Sequence, residues 1–269
     1  MIDIKFLKKD ELDDFLTSLK KSSVHSKAIL KNMWKNGISS FDRMQGIPAS
    51  LIDMLDKKCY IRNATIEKRI SSVDNTEKIA VRFDDGSLVE SVLIPSDKRL
   101  TACLSSQVGC AVGCTFCATA SMGFGRNLDY VEICNQLLLL NEIALSKYGK
   151  PIDSVVMMGM GEPFLNIENI FQSIRIMSAS WGMGISCNKI TISTTGIISG
   201  IMQLADSDIN CNLAVSLHSA NNDNRNSIMR VNSIYNLSEL KKALQYYYYH
   251  KKKSVTFEYL LLKKINDSM

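Results

Sequence analysis

The feature that most limits how this chain can fold is the alternation of apolar strands with helices over its second half. A helix is predicted to begin at Asp129, which can cap it while Glu132 completes a capping box. Apolar strands linked by helices are typical of a parallel sheet covered by helices. The alternation therefore predicts an α/β fold, either an open sheet or a barrel, with strands over 152–158, 189–193, 212–217 and 254–261 and further helices over 167–178, 197–204 and 238–249.

The first hundred residues have a different pattern. Residues 1–62 have helical periodicity and few strand patterns, which predicts a small helical subdomain. From about residue 63 the period changes to two, and Asp84-Asp85-Gly86 fits a hairpin turn between two alternating segments. The chain is therefore predicted to have a helical part over 1–62, an antiparallel β patch over 63–100 and a βα part over 101–269.

Three cysteines with unusual spacing lie near the start of the βα part. Cys110, Cys114 and Cys117 fall within eight residues and can hold three corners of a four-iron cluster, which leaves the fourth iron without a protein ligand. Cys103 could instead join them in a tetrahedral zinc site. Zinc motifs, however, usually pair two CxxC units or add nearby histidines, and the three histidines of this chain are distant. The spacing therefore favours an iron–sulfur cluster with an open iron.

Polar groups follow the predicted parallel strands. Gly161 and Glu162 come after the first of them, Ser193 ends the second, and Ser216 and His218 follow the third. The carboxyl ends of parallel strands meet at one edge, where such groups can hold a polar cofactor. Each of them alone is more often a helix cap or a satisfied core group. Their regular recurrence after the cysteines favours a shared site.

Glu90 lies in the alternating segment over 88–94. It shares a face with Leu88, Val92 and Ile94, and a carboxylate among apolar side chains can act as a base. The alternative is a glutamate in water on an edge strand.

Charge and composition limit the classes of binding partner that this chain can have. The net charge of +5 and the pI of about 8.7 favour a polyanion such as RNA without demonstrating one. The aromatic and cationic residues over 246–253 suit either a nucleic-acid surface or a half-buried helix end. Apolar runs are too short for a membrane span, and the first residues do not resemble a signal peptide. With only eight cysteines in 269 residues as well, the sequence indicates a reducing cytoplasm. The sequence does not indicate an oligomeric state, and a monomer is favoured.

Several segments together resemble one family. Those over 88–95, 101–110, 123–128, 155–163 and 216–220 resemble the RlmN/Cfr family of radical S-adenosylmethionine (SAM) enzymes, which methylate adenine in RNA. The resemblance implies a partial (βα) barrel, a [4Fe–4S] cluster and SAM as cofactors, and a reductase or flavodoxin-type electron donor. It implies methylation at C2 of an adenine in 23S rRNA and in tRNA, with C8 of rRNA as the alternative.

The resemblance also implies roles for individual residues. Cys110, Cys114 and Cys117 match the cluster ligands, Glu90 the proton acceptor and Cys103 a redox-active cysteine. In this family Cys103 forms a disulfide with a second, C-terminal cysteine, whose methyl group is turned into a radical by SAM cleavage and added to the adenine. The positions that match SAM-binding residues are Gly161, Glu162, Ser193, Ser216, Leu217 and His218.

The chain departs from the family at its C-terminal end. Relatives continue beyond the strand over 255–259 with another strand and the methyl-carrying cysteine, for which this chain has no convincing counterpart. Cys59, Cys134, Cys187 and Cys211 are expected to be small buried hydrophobic residues. We expect the 269-residue chain to bind the cluster and SAM without transferring a methyl group. Two other hypotheses are a radical SAM activase acting on a protein glycine and a zinc-bound RNA-binding module.

Overall fold

The N-terminal segment is a helical unit closed by a small parallel ladder. A computed structural model of the chain describes residues 1–267. Strand β1 (Ile2–Asp3) pairs with β2 (Cys59–Tyr60), so the two ends of the segment meet. Between them lie α1 (Lys9–Ser18), α2 (Ser26–Leu30), which continues into a π-helical turn over Lys31–Lys35, and α3 (Ala49–Lys58). Buried side chains such as Leu12, Leu16 and Trp34 form its core.

The rest of the chain is built on one eight-stranded open sheet. Its strands run in the order β12-β11-β10-β9-β6-β5-β4-β3. The remaining elements in chain order are β3 (Thr65–Ser71), β4 (Glu77–Arg82), β5 (Leu88–Pro95), β6 (Leu100–Cys103), β7 (Gln107–Gly109), α4 (Ala118–Ser121), β8 (Phe124–Asn127), α5 (Tyr130–Tyr148), β9 (Ser154–Met157), α6 (Ile167–Ser178), β10 (Ile190–Thr194), α7 (Ile198–Asp206), β11 (Asn212–Ser216), α8 (Asn222–Ile228), α9 (Leu237–Lys251) and β12 (Val255–Glu258).

The sheet is parallel where the site lies and antiparallel elsewhere. β6, β9, β10, β11 and β12 pair in parallel, each with the next, whereas β3, β4, β5 and β6 pair antiparallel. The predicted α/β fold with a partial parallel barrel is therefore confirmed. The antiparallel strands extend the same sheet through the ladder between β5 and β6. The exact division of the chain into three parts stays a prediction.

The predicted helices and strands agree with the structure to within a few residues. The capping box at the start of α5 is present, since Asp129 accepts from the amides of Val131 and Glu132 and the Glu132 carboxylate accepts from the Asp129 amide. The short helix α8 and the β7–β8 hairpin were not predicted, because they lie in polar or glycine-rich stretches whose composition is typical of loops. None of the helices over residues 1–267 is long and apolar enough to cross a membrane.

A buried carboxylate ties the antiparallel strands to α5. The Glu77 side chain is 1% exposed and accepts from Arg69 (2.9 Å), Lys147 (2.6 Å) and the Ser71 hydroxyl (2.6 Å). The hydrogen bond from Arg69, opposed by burial, lowers the pKa of Glu77 to about 2. Because the folded pKa lies below the usual carboxyl value, this group stabilises the fold above about pH 4.5 and loses its contribution as the pH falls towards 2.

Glu77→Gln is expected to lower the free energy of unfolding at pH 7 by about 2–3 kcal/mol, because it leaves two cations facing a neutral amide in a buried position. Urea unfolding would measure the change, and the difference from the parent should shrink as the pH approaches 2. Glu67, which pairs with Arg82 on the same hairpin but is well exposed, provides the control. An equal loss in Glu67→Gln would contradict the explanation.

Candidate active site

The cysteine loop lies at the carboxyl edge of the parallel strands, where it is part of the connection from β7 to β8 and contacts α8. The Cys110 amide donates to Gly123 O (2.9 Å) beside the β7–β8 hairpin, and the Thr115 amide donates to Ile228 O (3.0 Å) at the end of α8. Gly109 has φ +75°, and a Cβ there would lie 1.9 Å from Gly123 O, so no larger residue fits. The loop is therefore held on both sides.

The three thiols of the loop are close enough to influence one another. Burial, together with the neighbouring Cys110 and Cys117, raises the pKa of Cys114 to about 12. Three thiolates in this loop thus need positive charge to offset their repulsion, which bound irons would supply. All eight cysteines are free thiols, so the disulfide implied for Cys103 is absent from the described residues. The donor set suits a thiolate-bound iron–sulfur cluster.

A mononuclear zinc site would need its sulfur ligands close together, since zinc holds each of them about 2.3 Å away. No group of three or more His, Cys, Asp or Glu side chains arranged to hold a metal ion occurs within residues 1–267. Cys103, the fourth cysteine considered for such a site, lies on the central strand β6, outside the loop.

Glu162 is a buried carboxylate beside the loop. It accepts from the Thr195 amide (2.7 Å) and hydroxyl (2.8 Å) and from the Phe164 amide (3.1 Å). Burial raises the pKa of Glu162, and these hydrogen bonds oppose the rise. Gly161 before it has φ +100°, and a Cβ there would lie 2.6 Å from Gln107. This turn places main-chain groups and the buried carboxylate of Glu162 at the edge of the sheet.

Two of the predicted serines are joined by a third residue. Glu258, at the end of β12, accepts from the Ser193 hydroxyl (3.0 Å) and the Ser216 hydroxyl (2.9 Å) through the same carboxylate oxygen. Sequence reasoning missed Glu258, although it ends a parallel strand like the serines. The rule that found the other strand-end residues would have found it, had it been applied to the last strand.

His218 is held rigidly against the cysteine loop. Its ring packs edge-on against Phe116 of the loop, with centroids 4.8 Å apart. Its φ is +54°, and its main chain is fixed by Glu258 O, which accepts from the His218 amide (3.2 Å), and by Asn266, which donates to His218 O (2.5 Å). The ring Nδ1 accepts from the Leu260 amide (3.1 Å), which leaves the proton of the neutral ring on Nε2.

Leu217 differs from the other predicted SAM-binding residues because its side chain is directed away from the polar edge of the sheet. Its side chain lines an apolar groove with Leu240 and Phe257, between α9 and β12. Its amide donates to Glu258 O (3.0 Å). Only its main chain therefore belongs to the polar edge.

Glu90 and Cys103 lie on the same face of the sheet as the serines. Val92, two residues after Glu90 on β5, pairs with Cys103 on β6. Cys103 pairs in turn with Val156 on β9, and Val156 pairs with Thr191 on β10. Ser193 lies two residues after Thr191 and therefore on the same face. Side chains of paired residues share a face. Burial raises the pKa of Cys103 to about 11. The sheet thus brings both predicted catalytic residues to the inner face that ends at the cysteine loop.

Glu90 shares a face of β5 with Leu88, Val92 and Ile94, as expected, but that face is not the buried one. Its side chain is 54% exposed and pairs with Lys78 (2.8 Å), because the buried face of β5 is the one with Val89, Ser91 and Leu93. The apolar residues on the Glu90 face are partly exposed, since helix α5 packs on the other side. Glu90 is nevertheless not on an edge, as β5 lies between β4 and β6.

Other candidates lie away from this edge. Cys211 directly precedes β11, and Cys187 precedes β10, so both are at the amino ends of the strands. Cys59 and Cys134 are buried. The aromatic and cationic stretch over 246–253 forms the end of α9 and the turn before β12, also at the amino ends. Tyr247 is buried there, whereas Tyr249 is exposed beneath Lys252.

Comparison with protein families finds the radical SAM superfamily over residues 104–269. A dual-specificity RNA methyltransferase RlmN from Syntrophus aciditrophicus is 40% identical over 267 residues, which cover 99% of this chain and 76% of the relative. A probable dual-specificity RNA methyltransferase RlmN from Flavobacterium psychrophilum is 40% identical, with 99% of this chain and 77% of the relative covered. Both similarities extend well beyond the cysteine loop.

A solved structure is similar over the whole fold. The crystal structure of a radical SAM methyltransferase from Sphaerobacter thermophilus superposes with a TM-score of 0.93 and 34% sequence identity. The match covers 100% of this chain and 79% of that chain. The N-terminal helices and the antiparallel strands are thus part of the shared architecture.

Proposed function

This chain belongs to the radical SAM superfamily and, within it, to the RlmN family of RNA methyltransferases, and from this we propose that it methylates C2 of an adenine in 23S rRNA and tRNA through a methyl-cysteine intermediate. The observation that carries the proposal is the meeting of the cysteine loop, Glu162 and the two serines at one sheet edge, above an inner face with Glu90 and Cys103. Methylation at C8 remains the alternative.

Cofactor binding is proposed for the sheet edge. Cys110, Cys114 and Cys117 would hold a [4Fe–4S] cluster, and when bound, the cluster and SAM together supply a carbon radical able to attack unreactive C–H bonds. Glu162 has carboxylate lone pairs beyond those used by Thr195 and Phe164, and these can accept from the SAM ammonium. Ser193, Ser216 and the neutral ring of His218 offer hydroxyl and N–H groups for the remaining polar atoms.

The protein's own residues would complete the chemistry on the inner face. Glu90, exposed and paired with Lys78, is reachable by a substrate and would accept the ring proton. Cys103 would attack, as a thiolate, the sulfur of the methyl-carrying cysteine, so that an S–S bond forms while the bond from that sulfur to the carbon on adenine breaks and the carbon keeps the electron pair. Because burial raises the pKa of Cys103 to about 11, the thiol stays protonated until a base or bound substrate changes its surroundings. Adenine must leave its stack to reach this face, which favours loops of folded RNA.

The remaining assignments follow from the family. A reductase or flavodoxin-type protein would donate the electron. A monomeric state and a cytoplasmic location stay predictions.

The test is anaerobic turnover of the reconstituted chain with dithionite, methyl-deuterated SAM and separate rRNA and tRNA fragments. Release of 5′-deoxyadenosine supports the radical SAM chemistry, and its absence from a chain loaded with iron and sulfide contradicts it. Mass spectrometry of digested RNA then distinguishes C2-methyladenosine from the C8 isomer.

Glu258→Ala is expected to raise the dissociation constant for SAM about tenfold, because both serine hydroxyls lose the acceptor that orients them. Isothermal titration of the anaerobic, cluster-loaded protein would measure it. Glu258→Gln keeps an oxygen at this position and should retain most of the affinity. Equal losses in the two variants would contradict a role based on hydrogen-bond acceptance.

A further inference from the structure

Helix α8 buries a positive charge beneath the cysteine loop. The Arg225 side chain is 1% exposed. Its guanidinium donates to Leu217 O (3.0 Å), Thr195 O (2.6 Å), Ser216 O (3.2 Å) and the side-chain oxygen of Asn232 (2.9 Å). These acceptors are all neutral, and no carboxylate forms an ion pair with Arg225 within residues 1–267.

Such a charge needs compensation. A buried cation without an anionic partner costs several kcal/mol, which hydrogen bonds to neutral acceptors offset only in part. Glu162 bonds to the amide and hydroxyl of Thr195, whereas Arg225 bonds to the carbonyl of the same residue, and the two side chains form no ion pair. The missing counter-charge therefore has to come from another group.

The cysteine loop adjoins helix α8. The Thr115 amide, next to Cys114, donates to Ile228 O (3.0 Å), and Ile228 lies less than one turn after Arg225 in α8. The loop therefore lies beside the buried guanidinium. An iron–sulfur cluster bound by three thiolates carries net negative charge, and each added electron increases it.

We propose that Arg225 is the fixed counter-charge of the cluster and makes its one-electron reduction easier. The inference rests on the proposed cluster site. The electron comes from a low-potential donor of the flavodoxin class and enters the cluster, and no bond to Arg225 forms or breaks. Net charge near the irons is one of the factors that set the reduction potential of a cluster. Burial keeps water from screening the charge of Arg225.

The test is a potentiometric titration of the reconstituted protein, followed by electron paramagnetic resonance without SAM. Arg225→Gln should raise the ratio of oxidised to reduced cluster at a fixed potential about tenfold, which corresponds to a midpoint about 59 mV lower for one electron. Arg225→Lys keeps the charge and should stay within about threefold of the parent. Arg230, exposed and lying against Gly113 of the same loop, is the matched control, and Arg230→Gln should change little.

A second variant tests the charge while keeping the arginine. Asn232→Asp introduces a carboxylate 2.9 Å from the guanidinium, so it neutralises Arg225 without removing its hydrogen bonds, and should lower the midpoint in the same direction. The inference is overturned if Asn232→Asp leaves the midpoint unchanged with iron and sulfide content intact, or if Arg225→Lys shifts it as far as Arg225→Gln. A parent protein that holds no iron would instead refute the proposed function.

Discussion

Cys114→Ser is expected to remove the cluster and to bring 5′-deoxyadenosine formation down to background. A serine hydroxyl is a hard, weakly acidic ligand that iron in a sulfur cluster binds poorly. Cys114 is the buried member of the trio, held in a loop that is fixed by Gly123 on one side and Ile228 on the other, so no other thiol can move into its position. Iron analysis should fall from about four per chain to below about one.

The matched control is Cys187→Ser. Cys187 is a free thiol of intermediate burial at the opposite end of the parallel strands. Its replacement should leave iron content and cofactor cleavage at the level of the parent. A Cys114→Ser protein that keeps about four irons and cleaves SAM would show that the cluster is bound elsewhere.

The second large effect is expected at Glu162. Glu162→Gln removes the negative charge that would face the SAM ammonium and turns an amide NH₂ towards the donors of Thr195 or Phe164. Loss of a charged hydrogen bond of about 2 kcal/mol corresponds to a SAM dissociation constant about 30-fold higher. Equilibrium binding to the anaerobic, cluster-loaded protein would measure this loss.

Glu168→Gln controls for the charge change. Glu168 is exposed in the first turn of α6, six residues further along the chain, and has no part in the sheet edge. Its replacement should leave SAM affinity unaltered. If Glu162→Gln binds SAM as tightly as the parent while keeping the parent's melting temperature, the assignment of Glu162 is wrong.

Local patterns were sufficient to predict the parallel half of the fold. Strands β9 to β12 are short runs that alternate with helices, and the periodicity that reveals each of them depends on neighbours within a few residues. The cysteine loop could also be predicted from the sequence, because its three cysteines lie in one short segment. Residues at strand ends could be grouped before the structure was known, since parallel strands bring their carboxyl ends to one edge.

The surroundings of Glu90 could not be predicted in the same way. Alternation shows that a strand has two faces, but which face is covered depends on where distant helices pack. In β5 the covered face carries Ser91, whose hydroxyl bonds to the buried Gln136 of α5 (2.7 Å), so a polar residue lies in the core. The apolar residues beside Glu90 instead face the inner side of the sheet. Only the tertiary contacts resolve this choice.

The burial of Arg225 could not be predicted from the sequence for a related reason. It lies in a run rich in asparagine that has neither a clear helical period nor a strand pattern, and its neighbours in sequence give no hint of burial. Its acceptors come from the ends of β10 and β11, which the fold brings together. Long-range pairings of this kind are set by topology, which a single sequence specifies only indirectly.

The proposed radical chemistry depends most on which metal the cysteine loop binds. Elemental analysis of the protein, reconstituted and purified without oxygen, tests this directly. We predict about four irons and about four sulfides per chain, with a brown colour and absorbance near ~400 nm. One zinc per chain with negligible iron would contradict the assignment of the loop and the chemistry proposed from it.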